Sequence, residues 1–490
     1  MREAVVHSRQ TTLRTLSTSP RVIMTVAFGG ISVVNYAFGL VAGWLLVPGD
    51  FGLLAFAQTL LLLAGLVLDS GVSWSLTVAM ARATEHRREA LVRGALVVNL
   101  LVAVAVSIGV AVTFALGPLR AGLETRQIAI LVALCMPFFA ALAVARAAAQ
   151  GISQFVSVAA IQVVEIVGKA ISGVALMRAG FGATGAIAGF LIGGIISAVL
   201  SVYILARVVR VRLHGGVIWP SFHAAGAMSG AVIGIALVLN LGLFALKLLS
   251  GGDRALAGYY QVGAILANAP YFLVASAIAP VLFTQLAKMQ TVSETREHMC
   301  EALRFVAILI LPIEVMFIAL PEPILTLFFP RAYAPGAAIL RLLAVGNGAL
   351  ILVAILSVTF QAVHAARIPA RVLVLVALGE AATLCFAVPA GAAQGAAIVF
   401  VVASCLALLT LSVTYLRMLE TSWHRPLIAW VTRFSLLVAG SVVVLVFVHN
   451  GVHNALFAGI AGGVCYMTAI VVSGLVNRER LFGMRHKPSV

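Results

Sequence analysis

Charge is what this sequence has least of. Only 10% of its 490 residues are Asp, Glu, Lys or Arg, against 62% apolar residues, and the mean hydropathy is +1.12. A water-soluble chain carries about 25% charged residues, so a soluble globular protein is excluded. Acids are scarcer than bases, 16 against 32. Cysteine is scarce too: the five residues Cys135, Cys300, Cys385, Cys405 and Cys465 show no metal-ligand spacing, which removes a disulfide framework and a zinc site from the reading. The chain has no GxxxxGK[ST], no GxGxxG after a strand and no HExxH. Neither a built-in ATPase, a dinucleotide enzyme nor a zinc protease is therefore expected, nor any cofactor.

What the sequence has is long apolar runs. Windows of 20 or more such residues recur from Val22 to Val476, each long enough to cross roughly 30 Å of hydrocarbon at about 1.5 Å per residue. They predict an all-α polytopic membrane protein with about fourteen spans. These are 22–47, 53–79, 94–117, 127–150, 153–177, 184–206, 225–249, 259–287, 304–329, 337–363, 367–389, 393–415, 431–449 and 455–476. With the N-terminus inside, 24 of the 32 Lys and Arg fall on the inner side or at inner helix ends. The net charge of +16 thus reports topology and contact with anionic lipids rather than nucleic acid. Residues 1–21 lack an apolar core and a small-residue cleavage site, so they read as a cytosolic basic tail with the first span retained. The site of action is the cell membrane, with both termini cytosolic.

The loops divide the chain. Outer ones are short ("PGDFG", "PLRAGLETR", "GGDRALAG", "PRAYAPG"), while inner ones such as "RATEHRREALVR" and "RVVRVRLHGGVIWPSF" are longer and basic. The reading is a six-helix lobe at 22–206, a cytosolic linker at 207–224, a second six-helix lobe at 225–415, an accessory helix pair at 431–476 and a cytosolic tail at 477–490. Each lobe has an even number of spans, so the two run parallel. An internal repeat agrees: "GLVAGWLLVPGD" (39–50) and "GLFALKLLSGGD" (242–253) match at seven of twelve positions, each at the end of its lobe's first span. Parallel repeats suit two halves that rock around a central site.

Polar residues inside the spans are the functional candidates, because a charge at helix centre costs about 2.5–3.5 kcal/mol on insertion scales. They are Asn35, Asp69, Glu165, Lys169, Lys247, Asn268, Glu314, Glu322, Arg341 and Glu380. Lys169, Lys247 and Arg341 lie in the outer half and are candidates for a cationic lining, with Asn35 and Glu165 beside them. Snorkelling to outer headgroups is the plainer account of Lys247 and Arg341. Glu165 and Lys169, four apart, have a plainer account as an i,i+4 ion pair that keeps one helix tolerable. Glu314, Glu380 and Asp69 are candidates for ion coupling. Pro137, Pro270, Pro280 and Pro312 permit bends within spans.

Several stretches resemble the polysaccharide-transporter branch of the multidrug/oligosaccharidyl-lipid/polysaccharide exporter superfamily, the Wzx-type oligosaccharide flippases. "LLVPGDFGLLAFAQTL" (45–60) is like that family's short first loop and Phe-Gly helix start. "LDSGVSWSL" (68–76) looks like its Asp-x-Gly stretch late in the second span. "AGYYQVGAIL" (257–266) is similar to the Gly-Tyr-Tyr start of the eighth span, and "ALPEPILTLFFPRAYAPGAAILRLLAVG" (319–346) to the stretch joining spans nine and ten. The resemblance implies a two-lobed bundle whose cationic cavity receives the pyrophosphate and sugars of a polyprenyl-linked oligosaccharide. It also implies partnership with membrane lipids and with a polysaccharide polymerase and glycosyltransferases. Lipid II flippases, a related group, characteristically carry an arginine in the first span, where this chain has only Asn35. A drug or cation antiporter of the same superfamily is the alternative, with a membrane-embedded glycan-processing enzyme behind it; no outer loop is longer than "PLRAGLETR", too short for an independent catalytic site.

Overall fold

A computed structural model of the chain describes residues 20–116, 123–207, 216–219, 226–250, 254–286, 292–363 and 365–418, with the single positions 210, 289, 440 and 468. The expected helix pair at 431–476 lies outside the described residues except for two of those single positions. The 477–490 tail, most of the 1–21 tail and most of the 207–224 linker also lie outside them.

All regular structure among the described residues is helical. Helix α1 (Pro20–Leu45) is followed by α2 (Pro48–Leu68), which starts with Pro48 in its first turn and Asp50 beside it. Proline loses nothing there, where the N–H has no helical partner, and the acid suits the positive end of the dipole. A π-helical turn (Asp69–Ser73) joins α2 to α3 (Trp74–Arg82). Helices α4 (Glu85–Leu116), α5 (Leu123–Gly151) and α6 (Phe155–Leu176) follow, then a second π turn (Met177–Phe181) and α7 (Gly182–Arg207). Next come α8 (Gly226–Leu249) and α9 (Ala255–Leu273), a third π turn (Val274–Ile278) and α10 (Ala279–Leu286). The last elements are α11 (Val292–Ala319), α12 (Pro321–Phe328), a 3-10 turn (Arg331–Gly336), α13 (Ala337–Ala362) and α14 (Arg367–Met418).

Eight helical runs among the described residues are long and apolar enough to cross a membrane. Two of these hold two passes. Phe155–Arg207 spans 53 residues, about 80 Å if straight, but turns where Gly180 (φ 91°) and Gly182 (φ 54°) adopt a left-handed backbone that residues with a Cβ rarely take. Helix α14 breaks likewise at Ala392 (φ 47°). Each of the twelve spans expected between residues 22 and 415 falls on a helix. One needs correction. The expected span 304–329 is broken at Leu320, because Pro321 and Pro323 cannot continue a helix and a residue before proline is pushed out of the helical region. Glu322 therefore lies exposed in the first turn of the short α12 rather than inside a span.

The described chain forms two compact units. The first contains everything to Ile265 together with 366–399; the second contains 266–365 and the remainder of the chain. Within the first, α7 lies against α6 along a stripe of small residues four apart: Gly185, Gly189, Gly193, Ser197 and Ser201. A Cβ at Gly193 would stand 2.6 Å from both the Glu165 carbonyl and the Lys169 nitrogen, and Ser197 donates to the Ile161 carbonyl at 2.8 Å. Without a hydrophobic drive between helices in lipid, such close backbone approach supplies the packing energy. The starts of α2 and α9, which follow the two copies of the sequence repeat, also touch through glycine: Gly52 faces the Gly258 nitrogen and Gly258 faces the Pro48 carbonyl. In the second unit α13 is the most enclosed element, with the Phe400 ring against Gly346 and the Phe360 ring edge-on to Tyr415.

Candidate functional site

The backbone of α6 beside Glu165 and Lys169 is pressed against the glycines of α7. The side chains of Glu165 and Lys169, one turn apart, share a face of α6. There they meet α1, α5 and the π turn after α2, all within the first unit.

Arg146 of α5 reaches both acids. Its Nη1 donates to Glu165 Oε2 at 2.9 Å, while its Nη2 stands 3.0 and 3.1 Å from the two oxygens of Asp69. The planar guanidinium suits this, since its fork presents two separate N–H edges. Lys169 turns elsewhere. Its ammonium donates to Asn35 Oδ1 and stands 4.6 Å from the centre of the Phe190 ring and 5.5 Å from that of Phe38. The two rings meet edge to face. Aromatic faces attract a cation without neutralising it. The plainer account of Glu165 and Lys169 as an i,i+4 ion pair does not hold: the glutamate is bonded by Arg146, and Lys169 makes no direct ion pair with an acid among the described residues.

The π turn aims Asp69. Beside the widened helix over Asp69–Ser73, the Leu68 carbonyl takes two side-chain donors: it accepts from Ser73 Oγ at 2.9 Å and from Asn99 Nδ2 of α4 at 3.2 Å. Asn99 is also 3.3 Å from Ser73 Oγ and is buried. Such bulges frequently mark functional positions. Here the bulge is the "DSGVS" stretch itself, and Asp69 at its start is exposed.

The remaining candidates are not brought to this cluster. Lys247 is half-buried in the last turn of α8, where the negative end of the dipole favours it; no ion pair of it occurs among the described residues. Arg341 donates from Nε to the Ile318 carbonyl at 3.1 Å, which satisfies one of the carbonyls that the end of α11 leaves without a helical partner. Glu380 in the first unit and Glu314 in the second are buried, and neither carboxylate has a hydrogen-bond partner among the described residues. Asn268 accepts from Asn347 at 2.9 Å. Arg146 was assigned from sequence to an inner helix end and so escaped the candidate set. Its signal was Asp69 and Glu165, two acids in spans that need a cation within reach.

The sequence matches the family model for polysaccharide biosynthesis proteins over residues 43–338, more than half of the chain. No curated protein matches it. Among solved structures, the lipid II flippase MurJ in an inward closed conformation is similar with a TM-score of 0.75 at 14% identity, covering 95% of this chain and 100% of that one. An inward-facing multidrug resistance MATE family transporter of the MOP superfamily gives 0.60 at 16% identity, over 80% of this chain and 94% of its own. A MOP superfamily transporter from Pyrococcus furiosus, described by the reverse polarity of its binding pocket, gives 0.51 at 17% identity, over 82% and 95%. At these identities the likeness is one of fold.

Proposed function

The chain belongs to the polysaccharide biosynthesis protein family and has the fold of MOP-superfamily transporters, and from that premise we propose that it is a flippase for a polyprenyl-pyrophosphate-linked oligosaccharide. It moves this substrate from the cytoplasmic to the outer leaflet by alternating access, without catalytic residues. The observation that carries the reading is Lys169: a cation in mid-span, held by a neutral amide and two aromatic faces while the nearest acid on its own helix is occupied by Arg146. A charge kept in the membrane at such cost, with no acid in direct ion-pair contact among the described residues, suits an anionic ligand. Asn35 fits as well. Lipid II flippases carry an arginine in the first span; here Lys169 of α6 brings positive charge to the first-span asparagine.

The rest of the proposal follows the sequence. The lobes 22–206 and 225–415 act as the moving halves, both termini are cytosolic, and the protein works in the cell membrane beside a polymerase and glycosyltransferases. Lys247 and Arg341 are secondary anion contacts, with Arg341 the weaker candidate because its guanidinium already serves α11. Glu380, Glu314 and Asp69 are the ion-coupling candidates. The two buried, unbonded carboxylates are what a drug or cation antiporter would also use, and they keep that second reading in view. Purified protein in proteoliposomes decides between them. Flipping of a fluorescent polyprenyl-pyrophosphate glycan that falls at least tenfold in Lys169→Ala supports the flippase. Cation-driven dye efflux that is insensitive to Lys169→Ala and lost in Glu380→Gln would replace it.

A further inference from the structure

Arg146 has two partners of unequal permanence. The Glu165 side chain is 21% exposed and takes Nη1, whereas that of Asp69 is 51% exposed and sets both carboxylate oxygens on Nη2. Exchanging an enclosed carboxylate for another anion strands a charge, while exchanging an exposed one costs little, because water and ions already compete for it. A carboxylate with both oxygens on one guanidinium nitrogen occupies N–H donors that a phosphate oxygen, with the same sign of charge, can also take.

Resting on the flippase reading above, we propose that Asp69 is an internal competitor: it occupies, on Arg146, the place that a phosphate group of the substrate takes on binding. The more enclosed Glu165 keeps Arg146 in position throughout. Lys169 stands one turn further along α6 and supplies the second cation, so a pyrophosphate bridges the two in exchange for one carboxylate. The π turn holds Asp69 poised for return, since its Leu68 carbonyl is pinned by Ser73 and Asn99. Asp69 then sets how tightly the phosphate is held and so how readily it leaves on the far side. Lys169 alone would retain a strongly charged headgroup; a carboxylate that comes back to Arg146 helps to expel it.

Inorganic pyrophosphate titrated into the purified full-length protein in nanodiscs tests this by calorimetry. Wild type binds, Lys169→Ala binds more weakly, and Asp69→Asn binds about fivefold more tightly, the change expected when an exposed ion pair stops competing. Asp69→Glu returns to wild-type affinity because the competitor is restored. The gain in Asp69→Asn disappears when Arg146→Gln is added, which separates competition on Arg146 from a general rise in positive charge. In flipping assays Asp69→Asn lowers KM and lowers kcat. Should Asp69→Asn misfold, Asp69→Ser carries the same comparison. Unchanged or weaker pyrophosphate binding in both, with Lys169→Ala still defective, would overturn the competitor and leave the flippase reading intact. Pyrophosphate binding that ignores Lys169 and Arg146 alike would overturn both.

Discussion

At the residue scale the cluster around Arg146 ranks its members. Arg146→Gln removes the partner of two acids at once. Breaking a buried pair by one partner costs about 3–5 kcal/mol, and the exposure of Asp69 brings the expected loss here to about 2–3 kcal/mol. Arg146→Gln is therefore expected to melt well below wild type in detergent, while Lys169→Ala, which leaves behind only Asn35 and two rings, melts close to it. Equal melting of the two would remove the structural role assigned to Arg146. The double variant Glu165→Leu/Lys169→Leu is a sharper probe than it looks from sequence. Had the two residues formed a pair, replacing both would restore the protein entirely. Since Glu165 belongs to Arg146, which retains Asp69, the double variant should reach the membrane in normal amounts and export nothing. Wild-type export at matched abundance would take Lys169 off the site.

At the element scale the close approach of α6 and α7 is what orients that cluster. Gly193→Ala places a Cβ 2.6 Å from two backbone atoms of α6, so the helices must separate along their whole contact. Gly379 of α14 has open space around its Cα, and alanine there gains helix propensity of about 1 kcal/mol over glycine. Thermal unfolding should therefore show Gly193→Ala lowered and Gly379→Ala unchanged or raised; the reverse order would mean that the stripe is not a packing surface. The π turn after α2 is held by a side chain from another helix. Asn99→Leu leaves the Leu68 carbonyl with Ser73 alone, and the turn is expected to relax towards regular helix, which rotates Asp69 away from Arg146. Its measurable consequence is the same rise in pyrophosphate affinity as in Asp69→Asn, in a protein whose Asp69 is intact. Wild-type affinity in Asn99→Leu would separate the bulge from the site.

For the whole molecule, the placement of Lys and Arg makes one sharp statement about direction. A cysteine introduced at residue 85 or 485 of a cysteine-free background should react with impermeant maleimide only after the membrane is broken, and one at residue 331 should react from outside in intact cells. Outside labelling of residue 85 would invert the protein and, with it, the leaflet from which the proposed substrate would be taken. The proposed cation on α6 would then face a different path, although its contacts would stay the same.

Span positions were legible in the sequence because hydropathy is a local property. A run of apolar residues lies along one stretch of helix, and the expected spans from 22 to 415 fall on helical segments, with 304–329 broken at Leu320. The turn between spans five and six was settled by the left-handed backbone of Gly180 and Gly182, and Pro321 and Pro323 interrupt a run that hydropathy alone reads as one span. Partner choice was not legible. Glu165 has a lysine four residues away and is instead bonded by an arginine 19 residues before it; Arg146 reaches back a further 77 to Asp69, and Lys169 finds an asparagine 134 residues away. Spacing along a helix says which side chains share a face, but not which of several charges a neighbouring helix will press against that face. That was settled by the glycines of α7, which bring one side of α6 into backbone contact and leave the other side to Asn35, Asp69 and Arg146. The sequence by itself determined a polytopic helical membrane protein with charges in its spans; only the packing of α1, α5, α6 and the π turn decided that Glu165 is held by Arg146 and Lys169 is not, because ion pairing depends on distances between segments that no single segment encodes.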